Sequence, residues 1–359
     1  VRLRFTYCLF ILSLVAVFAS SVGRSQEGSN DECFYENSLH YTANGMAYWY
    51  GKENGGLEKL TGIPYTDLGC INCHAAGCDR CHKAEQGNEN CKSSYYSTSM
   101  ASNQALCMGC HGREKAMIRL DHKANQEDIH IQQDMVCTDC HSQREMHGDG
   151  TPYISLKQAG AMDTACENCH DDITPTESHT VHKDRLDCKA CHVRHVLSCT
   201  NCHFDTLVKT GKRKALPVSG WLFLMNYNNK VTSASMQTFV TGGNKTFLMF
   251  APHMSHSITK KGHACDDCHG SKNAVAVQKG KIRLTWLKNG QLINEKGIIP
   301  VFDGVDYQCV YQNFNDGNWI PIKAPLKPVI QYAAFGKPLT TEQLEKMARQ
   351  QSVPPLQIK

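Results

Sequence analysis

Eight times along the chain, two cysteines separated by two residues are followed at once by a histidine. The copies are Cys70-Ile-Asn-Cys73-His74, Cys78-Asp-Arg-Cys81-His82, Cys107-Met-Gly-Cys110-His111, Cys137-Thr-Asp-Cys140-His141, Cys166-Glu-Asn-Cys169-His170, Cys188-Lys-Ala-Cys191-His192, Cys199-Thr-Asn-Cys202-His203 and Cys265-Asp-Asp-Cys268-His269. Two thiols at that separation reach the two vinyl groups of one porphyrin and become thioethers. The adjoining imidazole is then carried under the ring to one axial position on iron. Zinc would use paired C-x-x-C units at tetrahedral spacing, with no need for a histidine after every second cysteine. A thioredoxin-like redox pair would occur once, beside a βαβ pattern. The spacing therefore implies eight covalent haems c, each with its iron on the motif histidine.

Iron needs a sixth ligand or keeps an open site. Of 18 histidines, eight belong to the motifs and ten remain: His40, His122, His130, His147, His179, His182, His195, His253, His256 and His263. That supply covers bis-histidine ligation at every haem, with His40, His122, His130, His147, His179, His182, His256 and His263 as the expected distal ligands. His195 is set aside because it follows His192 by three residues and on a helix would share its face, though it could still serve a neighbouring haem. His253 and His256 form a crowded i, i+3 pair with room for one ligand; the choice between them is nearly even, and His256 is taken. Methionine is the other common sixth ligand, and the chain has 12; histidine suffices without it.

The motif set resembles the multihaem c-type cytochromes, over roughly residues 40 to 270. No copy is of the C-x-x-C-Lys type that marks the catalytic haem of many multihaem nitrite reductases, and none has a lengthened spacing. The resemblance implies electron transfer, with redox partner proteins or an extracellular acceptor such as a metal oxide at the ends of the chain. Some members of that broad group polymerise into haem-lined filaments. In haem number and motif type the chain also resembles the octahaem tetrathionate reductases, which is the enzyme alternative. It requires one haem left open or ligated by a lysine such as Lys123 or Lys183. Full six-coordination leaves no vacant site, so a carrier rather than an enzyme is expected.

The elements that must position these groups follow from the intervals. Motifs start at residues 70, 78, 107, 137, 166, 188, 199 and 265, so eight porphyrins share about 200 residues. At that density the porphyrins form much of the core. The expected fold is a mostly irregular, short-helix core organised around stacked haems, with a small β-rich C-terminal module (α+β, with little regular secondary structure). Its bounds are 24–272 for the core, with a strand-rich insertion at 204–262 between haems seven and eight, and 273–359 for the module. Strands are expected at Trp221–Tyr227, Ser235–Val240, Thr246–Phe250, Ala274–Val277, Lys281–Leu287, Gln291–Asn294 and Gly304–Tyr311. Asn289-Gly290 is a hairpin signal. Thr340-Thr-Glu-Gln343 reads as a capping box opening a short helix to about Gln350.

Residues 1–23 have the order of a secretory leader: Arg2 and Arg4, an apolar run from Phe5 to Ala19, then small residues. A periplasmic, surface or extracellular location follows, with no membrane span in the mature chain. Three further cysteines, Cys33, Cys91 and Cys309, are then left in an oxidising compartment. A Cys33–Cys91 disulfide and three buried thiols stand as equal alternatives. The polypeptide's net charge of +4 invites a nucleic-acid partner. An oxidised bis-histidine haem carries a net −1 through its two propionates, so eight of them make the loaded protein acidic and exclude that class.

Overall fold

The computed structural model describes residues 35–69, 74–75, 77–85 and 95–350. The expected leader, Cys33, Cys70, Cys73 and Cys91 lie outside them. Among the described residues, no helix is long and apolar enough to cross a membrane.

The longest apolar run, Trp221-Leu-Phe-Leu-Met225, is buried along its whole length. A run with no polar alternation must be covered on both faces, which is the signature of a central strand. It lies in β3 (Leu216–Tyr227), which turns through Asn228-Asn229 into β4 (Lys230–Thr241), and β4 turns into β5 (Lys245–Pro252). Both turn asparagines have positive φ, 50° and 61°, as a two-residue I′ hairpin requires. β3 pairs antiparallel with β4 through Phe223 and Ala234, and β4 with β5 through Met236 and Phe250. Two later strands close the flanks in parallel: β6 (Gly297–Pro300) beside β3 and β7 (Val329–Tyr332) beside β5. Two earlier strands complete the seven-stranded sheet, β1 (Val196–Thr200) on β3 and β2 (Cys202–His203) on β4.

The 204–262 insertion and the 273–359 module thus share one sheet, since parallel flanking strands from the module grip the hairpins of the insertion. Ala274–Val277, expected as a strand, is instead inside a helix, α3 (Lys272–Gln278). The alternation of Ala and Val there imitates a strand. Ser271, however, caps the helix by accepting from the Ala274 N–H, and Ala274 and Val277 face the core at helical spacing. The expected strand over Lys281–Leu287 divides into Lys281–Arg283 and Thr285–Lys288, and the second pairs across Asn289-Gly290 with Gln291–Asn294. Gly304–Tyr311 shortens to a strand at Asp306–Gln308. The terminal helix α4 (Thr341–Ala348) begins at Thr340 with both halves of its capping box made.

Trp221, Phe223 and Phe250 centre the core, covered by Ala274 and Val277 of α3 and Leu344 and Met347 of α4. The Trp221 indole N–H donates to Ser198 Oγ at 3.0 Å within this core. Trp221→Ala is therefore expected to lower unfolding free energy by about 3–5 kcal/mol, read as an earlier midpoint in urea denaturation. A shift under about 1 kcal/mol would show that the sheet core is not the stability centre.

Residues 130–185 are built differently. Ala161 is the one buried hydrophobic residue there, while Leu156, Met162, Ile173 and Val181 are exposed. Such a segment has no core made of its own side chains.

Candidate haem-ligating site

Five of the motifs share one local geometry. In each, the histidine N–H donates back to the carbonyl of the first cysteine: His82 to Cys78 at 2.8 Å, His111 to Cys107 at 2.9 Å, His141 to Cys137 at 3.0 Å, His170 to Cys166 at 3.0 Å and His269 to Cys265 at 2.7 Å. That is one helical turn, which brings both thiols and the imidazole to the same side. Cys188–His192 is likewise helical, capped by Asp187.

The histidines of these six motifs each face a histidine from outside the motifs. Ring centres are 6.2 Å apart for His111 and His40, 5.8 Å for His82 and His147, 6.1 Å for His170 and His130, 6.4 Å for His141 and His256, 6.3 Å for His192 and His179, and 6.1 Å for His269 and His182. Two imidazoles sharing one metal at a metal–nitrogen distance of about 2 Å have ring centres roughly 6 Å apart. Direct contact between unliganded rings has no reason to repeat that spacing six times.

The outward nitrogens of three of these pairs are held. His141 Nδ1–H donates to Glu145 at 2.7 Å and His256 Nδ1–H to Glu114 at 2.8 Å. His192 and His179 donate to the carbonyls of Thr259 and Thr174, and His269 and His182 to those of Lys346 and Ser178, all at 2.8–3.0 Å. Metal-ligating imidazoles are oriented in this way, with the second nitrogen bonded outward so that Nε2 faces the metal. At Glu114 burial works to raise the carboxyl. The hydrogen bond from His256 and the charges of His253, His256 and Arg113 outweigh it and bring the carboxyl down to about 2. A carboxylate there makes the His256 ring a stronger donor to a metal.

The remaining histidines are placed elsewhere. His195 Nε2 lies 3.0 Å from Asp121, and its Nδ1 accepts from the Gly220 N–H at 3.4 Å, so both nitrogens are occupied. Asp121 also accepts from Ser257 and Arg194, and this buried group ties helix α1 (Gly112–Lys123) to the sheet. His253 is half-buried beside Glu114 at 3.6 Å, and desolvation together with Arg113 lowers it to about 3. His122 is exposed and bonded to Glu127. His263 spends Nε2 on the Val193 carbonyl at 2.8 Å. The structure brings neither His122 nor His263 to a motif histidine. Lys123 ends α1, and Lys183 follows His182 with φ 39°.

Two motif histidines therefore have no histidine ring across from them among the described residues, His74 and His203. His74 has a buried Nε2 with no hydrogen-bond partner and an edge contact to Tyr41 at 5.1 Å. The motif ending in His203 lies on strands rather than on a helical turn.

The thiols trace which motifs adjoin. Burial first, and then neighbouring thiols, raise Cys81 (beside Cys107 and Cys110), Cys137 (beside Cys107), Cys140 (beside Cys169), Cys191 (beside Cys188 and Cys265) and Cys268 (beside Cys191, pushed up to about 12). Cys166 and Cys188 are hydrogen-bonded, and with Glu167 their ligand atoms lie within 4.8 Å of one another. The neighbours run from Cys78–His82 through the third, fourth, fifth and sixth motifs to Cys265–His269. Sequence spacing finds the motifs but not these contacts, which come from tertiary packing. Cys309, the third cysteine outside the motifs, is a half-buried thiol that desolvation raises to about 12.

No protein-family model, curated protein or solved structure matches the chain.

Proposed function

We infer that the chain is an electron carrier in which covalent haems c are held close enough to exchange electrons. The observation that carries this is the sixfold pairing of a motif histidine with a second histidine at 5.8–6.4 Å between ring centres. Haem supplies a one-electron couple, and the polypeptide supplies attachment, axial ligands and spacing. Cys78 and Cys81, Cys107 and Cys110, Cys137 and Cys140, Cys166 and Cys169, Cys188 and Cys191, and Cys265 and Cys268 anchor the porphyrins of this run. Cys70 with Cys73 and Cys199 with Cys202 anchor the other two. Glu145, Glu114 and the backbone carbonyls fix the tautomer and orientation of His141, His256, His192, His179, His269 and His182. Electrons enter and leave at the ends of the run, by the second and eighth motifs, where a redox protein or an extracellular acceptor docks.

Mass analysis of the matured polypeptide tests the reading: eight haem equivalents are expected, with a mainly low-spin ferric spectrum. A mass without added tetrapyrrole would sink it. A second reading has one specific support, the Cys166–Glu167–Cys188 cluster, which offers three ligands to a soft divalent ion such as zinc. It predicts stoichiometric zinc and no haem in the same preparation.

A further inference from the structure

The fourth motif differs from the other paired motifs in what stands behind its two imidazoles. The His141 Nδ1–H donates to Glu145 Oε2 at 2.7 Å, and across from it the His256 Nδ1–H donates to Glu114 Oε2 at 2.8 Å. Behind the pairs of the sixth and eighth motifs stand neutral backbone carbonyls, those of Thr259, Thr174, Lys346 and Ser178. The fifth pair has one carboxylate. Asp128 Oδ1 lies 3.2 Å from His130 Nδ1 and shares that oxygen with the His130 backbone N–H at 2.8 Å. Among the described residues, no other pair has a carboxylate behind both rings.

Glu145 is held as an anion by its surroundings. Its Oε1 accepts from the Asp163 and Thr164 N–H groups and, at 2.8 Å, from the Thr164 hydroxyl, while Oε2 takes the proton of His141. Four donors around a side chain that is 1% exposed suit a carboxylate and leave a carboxylic acid's proton nowhere to go. Arg144, its neighbour in sequence, is turned to Asp149 and Asp163 instead. Glu114 lies in the first turn of α1, where the helix end favours negative charge, and nearby Arg113 offsets part of that charge.

Ferric iron carries one more positive charge than ferrous iron. An imidazole that donates to a carboxylate gives more electron density to a metal, and the carboxylate's own charge acts across one ring, so both effects favour the ferric form. Two of them on one metal act in the same direction.

We propose that Glu145 and Glu114 make the site between His141 and His256 the last of the run to accept an electron, and that this site divides the run into two pools. One pool lies on the second and third motifs, the other on the fifth, sixth and eighth. Each loading step is one electron from a docked redox protein, taking ferric iron to ferrous. An electron crossing the whole run meets its uphill step at the fourth motif, so each end is loaded by its own partner. This rests on the haem reading above and deepens it, because ligation makes a carrier and the two carboxylates give that carrier a profile.

The test uses the matured full-length protein, with haem counted first by mass and then reduced stepwise in a spectroelectrochemical cell. Glu145→Gln removes one charge and is expected to ease the final reductive step. Its ferric-to-ferrous ratio at fixed potential should fall on the order of tenfold, which is about 59 mV for one electron. Glu114→Gln is expected to move the same step in the same direction by less, since Arg113 already offsets part of that charge. It also covers the case in which Glu145→Gln, deep in its hydrogen bonds, fails to mature. Glu127→Gln, which alters the partner of exposed His122, is the comparison and is expected to leave the final step in place. A final step unmoved in the matured Glu145 and Glu114 variants would overturn the proposal while leaving the carrier reading intact. A shift confined to an earlier step would overturn it as well. Absence of haem would instead remove the carrier reading itself.

Discussion

On the haem reading, His256→Met is expected to raise the midpoint potential of one haem on the order of 0.2 V, a fraction of the roughly 0.8 V that axial ligation spans. Thioether sulfur stabilises the reduced iron relative to imidazole, so histidine–methionine haems lie above bis-histidine ones. His256 faces His141 at 6.4 Å between ring centres, and its Nδ1 is bonded to Glu114. His253, three residues earlier, touches Glu114 without facing a motif histidine. His253→Met is therefore the comparison and is expected to move the titration curve far less than His256→Met. Spectroelectrochemical titration reads both. Equal curves for His256→Met and the parent protein would remove His256 from the axial set.

Without haem, residues 130–185 are expected to lose their structure while the sheet persists. Segments fold when burial of apolar surface offsets the conformational entropy of ordering them. The sheet region has Trp221, Phe223, Met225, Met236, Leu248 and Phe250 fully buried, whereas 130–185 buries Ala161 alone among its hydrophobic residues. On the haem reading, the porphyrin faces take the missing role in the loaded protein. Hydrogen exchange on chain produced without haem attachment should show protection retained over 216–252 and lost over 130–185. Protection kept in both would mean that the polypeptide stabilises the motif region unaided.

Local patterns carry much of this architecture. The eight motifs, the hairpins at Asn228-Asn229 and Asn289-Gly290 and the capped helix at Thr340 depend on neighbours in sequence, so spacing exposes them. The histidine partners of the six paired motifs do not, because His40 meets His111 and His256 meets His141 only through tertiary packing. His122 and His263 are of the right residue type, but a nearby glutamate and a backbone carbonyl engage them instead. At Ala274–Val277 the β-branched alternation is a weaker force than a serine cap with helical burial.

On the proposed haem reading, the burial of Cys202, 3% exposed between strands, sets an order of events during biogenesis. An attachment enzyme must handle an extended substrate, so the second thioether of the seventh haem has to be made before β2 docks on β4. Ligation and late closure of the sheet are then two halves of one timetable, and a variant that closes early would leave maturation one cofactor short.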